Sequence, residues 1–230
     1  MKNIFLVDAD DTVLNFHYSA EQAIKWAFEK SQIQWKDEYL DKYKHFNDHL
    51  WEKLERKLLS RNELMAQRFP RFLAYLGVEG DGEKINEYYI EHLSNHPVYK
   101  DGAEEFLQTL TSLGKVYIVT NGTESIQTKR FDIARLSRYA SKIFISQTAG
   151  YDKPDLRYTQ YVIDQIDGFQ KENAIWIGDS LSADIKGANL AGIDSIWYNP
   201  CEKRLTGDCK PTYIAQSFLD IFRILQIING

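Results

Sequence analysis

Ile4-Phe5-Leu6-Val7-Asp8-Ala9-Asp10-Asp11-Thr12 is the stretch on which the fold turns. A short unbroken apolar run of this kind is the mark of a strand buried in a parallel sheet. It stops on three carboxylates and a hydroxyl. Carboxylates gathered at the end of a buried strand repel one another and lose hydration, so the cluster costs stability unless a cation sits there. A metal-dependent site is the first expectation.

Working outward, four further runs rich in β-branched and aromatic residues read as buried strands, at 116–120, 143–146, 174–178 and 195–198, beside the first at 3–7. Helix-length segments at 127–136, 155–166 and 183–191 alternate with them. That rhythm predicts an α/β fold, a Rossmann-like parallel sheet with helices on both faces. Ligands of such sheets bind beyond the carboxyl ends of the strands, which brings the ends of the first, second and fourth strands around one crevice. Residues 18–93 break the rhythm. Segments 19–29, 37–59, 61–76 and 82–93 carry apolar residues at three- and four-residue spacing with no credible strand, so an all-helical domain is inserted. The expected division is 1–15 and 97–230 for the α/β core and 16–96 for the helical insertion, with a return hinge around Pro97. Residues 201–211 read as a loop, and 217–228 as a closing amphipathic helix.

The chain has 230 residues, enough for a main domain with a large insertion, and its 43% hydrophobic and 27% charged residues are ordinary for a globular protein. A net charge of -5 argues against binding a nucleic acid polymer, which needs a basic face. The first apolar run is too short for a signal peptide or a membrane span. A cytoplasmic protein, without membrane partners and either monomeric or homodimeric, is the expectation. Cys201 and Cys209 stand in a polar loop without C-x-x-C spacing, which suggests neither a disulfide framework nor a zinc site.

Four separated pieces carry the chemistry. In Asp8-x-Asp10-x-Thr12, one carboxylate can attack phosphorus while a second, two residues on, gives a proton to the leaving group and takes one from water. Thr120-Asn121-Gly122 closes a strand with a hydroxyl, an amide and an open backbone N–H, the neutral donors a phosphate oxygen needs. Lys153-Pro154 supplies a positive charge ahead of a helix. Gly178-Asp179-Ser180 ends another strand, with Asp184 one turn beyond. A small hard cation takes oxygen ligands, so Asp8, the backbone carbonyl of Asp10 and Asp179 suit Mg²⁺. A calcium loop fails on spacing: its glycine and its glutamate fall at Val13 and Ser19.

These four pieces, in this order, resemble the motifs of the haloacid dehalogenase-like hydrolase superfamily. The resemblance implies that Asp8 is the nucleophile and Asp10 the general acid/base. By it, Thr120 and Lys153 bind phosphate beside Asn121, Asp179 ligates magnesium with Asp184 supporting or sharing that role, and the helical insertion is a mobile cap. Phe5 to Thr12 and Ile118 to Gly122 are further similar to the pyrimidine 5'-nucleotidases of that superfamily, which carry Asp-Ala-Asp-(Asp/Glu)-Thr followed shortly by Phe, here Phe16. The implied substrate is a small phosphate ester, a nucleoside monophosphate such as UMP, dUMP or dTMP. The alternatives are another phosphate ester (a sugar phosphate or phosphoglycolate), a phosphomutase and a dehalogenase. The last needs neither metal nor second acid. Asp11 stands where most of the superfamily has glycine.

Phe16 is the candidate for stacking on a nucleobase, since base–aromatic stacking tolerates different bases. Trp26, Trp35, Tyr39, Tyr43, Phe46 and Trp51 follow helical spacing and read as core of the insertion. His45/His49 and His92/His96 are spaced four apart but sit in no H-E-x-x-H frame, so packing is preferred to metal binding.

Overall fold

The computed structural model describes residues 1–230, the side chain of Glu55 excepted. The chain divides into two compact units, Met1–Phe16 with Val98–Gly230, and His17–Pro97. In chain order the elements are β1 (Ile4–Val7), α1 (Phe16–Lys30), α2 (Glu38–Glu55), α3 (Arg61–Leu76), α4 (Gly82–Asn95), α5 (Ala103–Leu113), β2 (Lys115–Thr120), α6 (Glu124–Ile133), β3 (Lys142–Ile145), α7 (Ser146–Ala149), α8 (Leu156–Ile163), β4 (Ala174–Gly178), α9 (Lys186–Ala191), β5 (Asp194–Tyr198), β6 (Tyr213–Ala215) and α10 (Phe218–Asn229).

The six strands form one sheet in the order β3-β2-β1-β4-β5-β6, every neighbouring pair parallel. β1 is the point where the strand order reverses direction, and Val7 stands level with Ile118 on one side and Ile177 on the other. The residues just past these three strand ends therefore share one edge of the sheet, the usual ligand position in such folds.

Strand residues alternate between two cores. Phe5, Val7, Val116, Ile118, Ile175 and Ile177 face the core completed by α5 and α10. Ile4, Leu6, Tyr117, Val119, Phe144 and Trp176 face the other, completed by α8 and α9. Both faces being covered explains why the strand sequences read as unbroken apolar runs. Burying each large side chain contributes about 1.5–3 kcal/mol, so both cores stabilise the platform that carries the site.

The five expected strands are present, and a sixth, β6, pairs with the edge of β5. Its three residues are too few to show a period, and Ile214 is exposed. Helix α5 also goes beyond the sequence reading, although its buried Ala103, Phe106, Leu107 and Leu110 recur at helical spacing. The helix expected over 183–191 begins instead as a π-helical turn, Leu181–Ile185, before α9.

The second unit is helical throughout, as its sequence pattern predicts. Helix α3 opens with a capping box, Ser60 accepting from the Glu63 N–H while the Glu63 carboxylate takes the Ser60 N–H. Its interior is aromatic: Tyr43 stacks on Phe69 at 5.7 Å and meets Phe72 at 5.3 Å, with Phe69 against Tyr89 at 5.1 Å. His92 and His96 stack on each other at 4.1 Å, and burial pushes the His92 imidazole below its ordinary pKa.

Candidate active site

β1 delivers Asp8 to the sheet edge and the chain turns at once. Asp11 N–H donates to the Leu14 carbonyl at 2.7 Å and Leu14 N–H to the Ala9 carbonyl at 2.8 Å. Asp11 takes φ 59°, the left-handed region. Glycine enters that region without strain and Asp is among the few side chains that tolerate it, which gives a physical reason for either residue here. Thr12, fully buried, donates its hydroxyl to Asp8 Oδ2 at 3.1 Å and fixes that carboxylate.

The buried Lys153 stands against the other oxygen. Its ammonium donates to Asp8 Oδ1 at 2.6 Å, to Asp184 Oδ1 at 2.7 Å and to the Val119 carbonyl at 2.9 Å, using all three N–H groups. Burial alone works to lower the lysine's pKa, but the Asp184 and Asp8 carboxylates outweigh it and hold the group well above its ordinary value. Asn121 sets the position of Lys153, accepting from its N–H at 2.7 Å and donating to its carbonyl at 2.9 Å. Both ends of the Asn121 amide are thus engaged with the lysine backbone.

β4 ends at Gly178 because Asp184 folds back over it, and any Cβ there would collide with that carboxylate. Asp184 is saturated with donors, taking Trp176 Nε1 at 3.2 Å and the Ser180 N–H at 3.2 Å besides Lys153. One carboxylate oxygen each from Asp8, Asp179 and Asp184 lies within 4.8 Å of the others. Burial raises the Asp8 carboxyl well above its usual range against the pull of Lys153, and burial with the charges of Asp11 and Asp184 pushes Asp179 up to about 7. The all-oxygen donor set of these three carboxylates is that of a small hard cation.

Asp10 and Thr120 are joined through α6. Arg130 Nη1 donates to Asp10 Oδ1 at 2.7 Å, while Gln127 Nε2 donates to Asp10 Oδ2 at 2.8 Å and to Thr120 Oγ1 at 2.9 Å. Phe16, half-buried, lies 5.4 Å from the Arg130 guanidinium. The structure therefore gathers Asp8, Asp10, Thr120, Asn121, Lys153, Asp179 and Asp184 at one sheet edge. Sequence reasoning assigned no role to Gln127, Arg130 or Trp176. The only sequence signal for the first two is their three-residue spacing on a short helix, and Trp176 reads simply as strand core.

A parallel sheet whose strand ends collect these groups has known counterparts. The family profile for haloacid dehalogenase-like hydrolases matches residues 2–192. The HAD-hydrolase YfnB of Bacillus subtilis is 35% identical over 97% of this chain and 95% of its own length. A crystal structure of YfnB bound to magnesium superposes with a TM-score of 0.92, covering 97% of this chain and 98% of that one at 34% identity. The pyrimidine 5'-nucleotidase PynA of Streptococcus pneumoniae is 36% identical over 96% of this chain and 94% of its length. No helix among the described residues is long and apolar enough to cross a membrane. With the ordered motifs, the sheet and these relatives in agreement, this chain belongs to the haloacid dehalogenase-like hydrolases and is a phosphatase of that family.

Proposed function

We propose that the protein is a Mg²⁺-dependent pyrimidine 5'-nucleotidase that hydrolyses UMP, dUMP or dTMP through an aspartyl-phosphate. The observation that carries the mechanism is Asp8, oriented by Thr12 and Lys153 at the end of β1, with a second carboxyl two residues away on the same turn. Asp8 Oδ attacks phosphorus, and the phosphorus–oxygen bond to the ribose 5'-oxygen breaks. Asp10 delivers the proton to that oxygen, then takes one from the water that releases phosphate from Asp8. Thr120 and Asn121 receive the phosphate oxygens, while Lys153, its three N–H groups taken by Asp8, Asp184 and the Val119 carbonyl, acts as a fixed positive charge.

Asp8, Asp179 and the main-chain carbonyl of Asp10 would hold Mg²⁺, with Asp184 beside them; the ion would supply charge neutralisation for the transferring phosphoryl group. The three carboxylates within 4.8 Å fit that ion, and the Asp184 oxygens, already taken by Lys153, Trp176 and Ser180, favour a supporting role for this residue. The nucleotide substrate rests on the 36% identity to PynA across nearly the whole chain and on Phe16 after the first motif.

Phosphate release across UMP, dUMP, dTMP, sugar phosphates and phosphoglycolate with Mg²⁺ tests both levels. Pyrimidine monophosphates should lead in kcat/KM, and Asp8→Asn should abolish turnover with the protein still folded. Sugar phosphates or phosphoglycolate leading by a wide margin would remove the nucleotidase reading alone. Residual Mg²⁺-dependent turnover in Asp8→Asn would remove the mechanism.

A further inference from the structure

Resting on the phosphatase reading above, we propose that Gln127 and Arg130 are positioning residues that clamp the Asp10 carboxyl from two sides and aim it for proton transfer. Each Asp10 oxygen is held by a different donor, Oδ1 by Arg130 Nη1 at 2.7 Å and Oδ2 by Gln127 Nε2 at 2.8 Å. A carboxylate held at one oxygen still swings about its Cβ–Cγ bond. Held at both, its plane is fixed. Two of its roughly four lone-pair positions remain open for the proton it must pass.

The clamp is itself held. Gln127 Oε1 accepts from Arg130 Nη1 at 2.6 Å, so the two donors lock each other. The second N–H of the Gln127 amide goes to Thr120 Oγ1 at 2.9 Å, tying the clamp to the end of β2. The stem of Gln127 covers Gly122, where any Cβ would collide with it. That gives the glycine of Thr120-Asn121-Gly122 a steric purpose beyond its backbone N–H. Phe16 lies against the guanidinium at 5.4 Å.

Packing alone is a poor reason for this arrangement. Arg130 is fully buried, yet its Nε and Nη2 have no hydrogen-bond partner among the described residues. A buried guanidinium left partly unsatisfied is a worse core residue than an apolar side chain of the same volume. Among the described residues its ionic partner is Asp10 at the sheet edge, whose side chain is 26% exposed. The geometry thus spends a buried cation on aiming one carboxylate.

The test compares two leaving groups. A ribose alkoxide needs its proton, whereas p-nitrophenolate departs without help, and kcat/KM reports the step in which the leaving group departs. With dUMP, or the best alkyl ester of the panel above, Arg130→Met should lower kcat/KM by about 10- to 100-fold. With p-nitrophenyl phosphate the loss should stay within a few-fold. In kcat both substrates should fall, because both share the water step. Gln127→Met should show the same split at smaller size, and Arg130→Lys should restore part of the loss on the alkyl ester. If Arg130→Met does not fold, the Gln127→Met ratio decides. Equal losses in kcat/KM on the two esters would overturn the clamp as a positioning device while leaving the phosphatase reading standing. Wild-type protein without Mg²⁺-dependent release from any ester would overturn that reading instead.

Discussion

Replacing Lys153 with methionine keeps most of the side chain's volume and removes one charge from the centre of the site. The ammonium it removes lies 2.6 Å from Asp8 and 2.7 Å from Asp184, and all three residues are buried. Breaking a buried ion pair by deleting one partner costs about 3–5 kcal/mol, because the other charge is left without compensation. Here two carboxylates are stranded by one deletion, which favours the upper end. In a chain of this size 1 kcal/mol moves Tm by about 2–4 °C, so the transition of the α/β unit should fall by about 6–20 °C. Calorimetry of the metal-free protein at pH 8 measures it. The Lys153 pKa is raised on folding, so its contribution is complete below the ordinary lysine value and is lost only as pH climbs through the higher folded value; at pH 8 it is fully present. Adding Asp184→Asn to Lys153→Met removes one stranded charge and should recover part of the loss, a non-additive pair. A fall of no more than 1–2 °C for Lys153→Met, or strict additivity of the two, would refute the claim that this lysine neutralises the site.

Two further outcomes follow from the same groups. Asp179, raised from 3.8 to about 7, favours the folded state most fully below 3.8 and loses that contribution as pH rises to about 7, and Asp8 is shifted the same way. Metal-free protein should therefore lose Tm between pH 5 and pH 8, and millimolar Mg²⁺ should raise Tm more at pH 8, where it does not compete with a proton; an equal Mg²⁺ effect at the two pH values would contradict this. Gly122→Ala should drive Gln127 off its seat and lower kcat/KM on an alkyl phosphate by about tenfold at a small cost in Tm, and unchanged activity would show that the helix absorbs the added methyl.

The centre of the sheet was legible because β1 and β4 are buried on both faces and read as unbroken apolar runs, and in the fold Val7, Ile118 and Ile177 lie level. That register is what turns three separate strand ends into one site: Asp8 ends β1, Thr120 closes β2 and Asp179 follows β4. Elements with less pattern were not legible. β6 is three residues long, and the π-helical turn at Leu181–Ile185 cannot be told from a helix by period alone. That turn decides where Asp184 falls, over Gly178 and within reach of Lys153, which spacing from Asp179 does not reveal. Gln127 and Arg130 were hidden for a related reason. Helix α6 buries them beside Ile126 and Phe131, and polar residues on a buried helical face look in sequence like a solvated one.

The charge cluster that opens the chain kept its meaning but changed its members. In sequence Asp8, Asp10 and Asp11 stand together and call for a cation. In space Asp10 is paired with Arg130, and Asp11 sits in a left-handed turn from which its charge still raises Asp179. The carboxylates that converge are Asp8, Asp179 and Asp184, drawn from two strand ends and a helical turn. Lys153 is the ammonium bonded to two of them, so these four groups keep an excess of two negative charges when ionised, the quantity one divalent cation cancels. The cation expectation read from the first strand therefore rests, in the fold, on a different set of carboxylates.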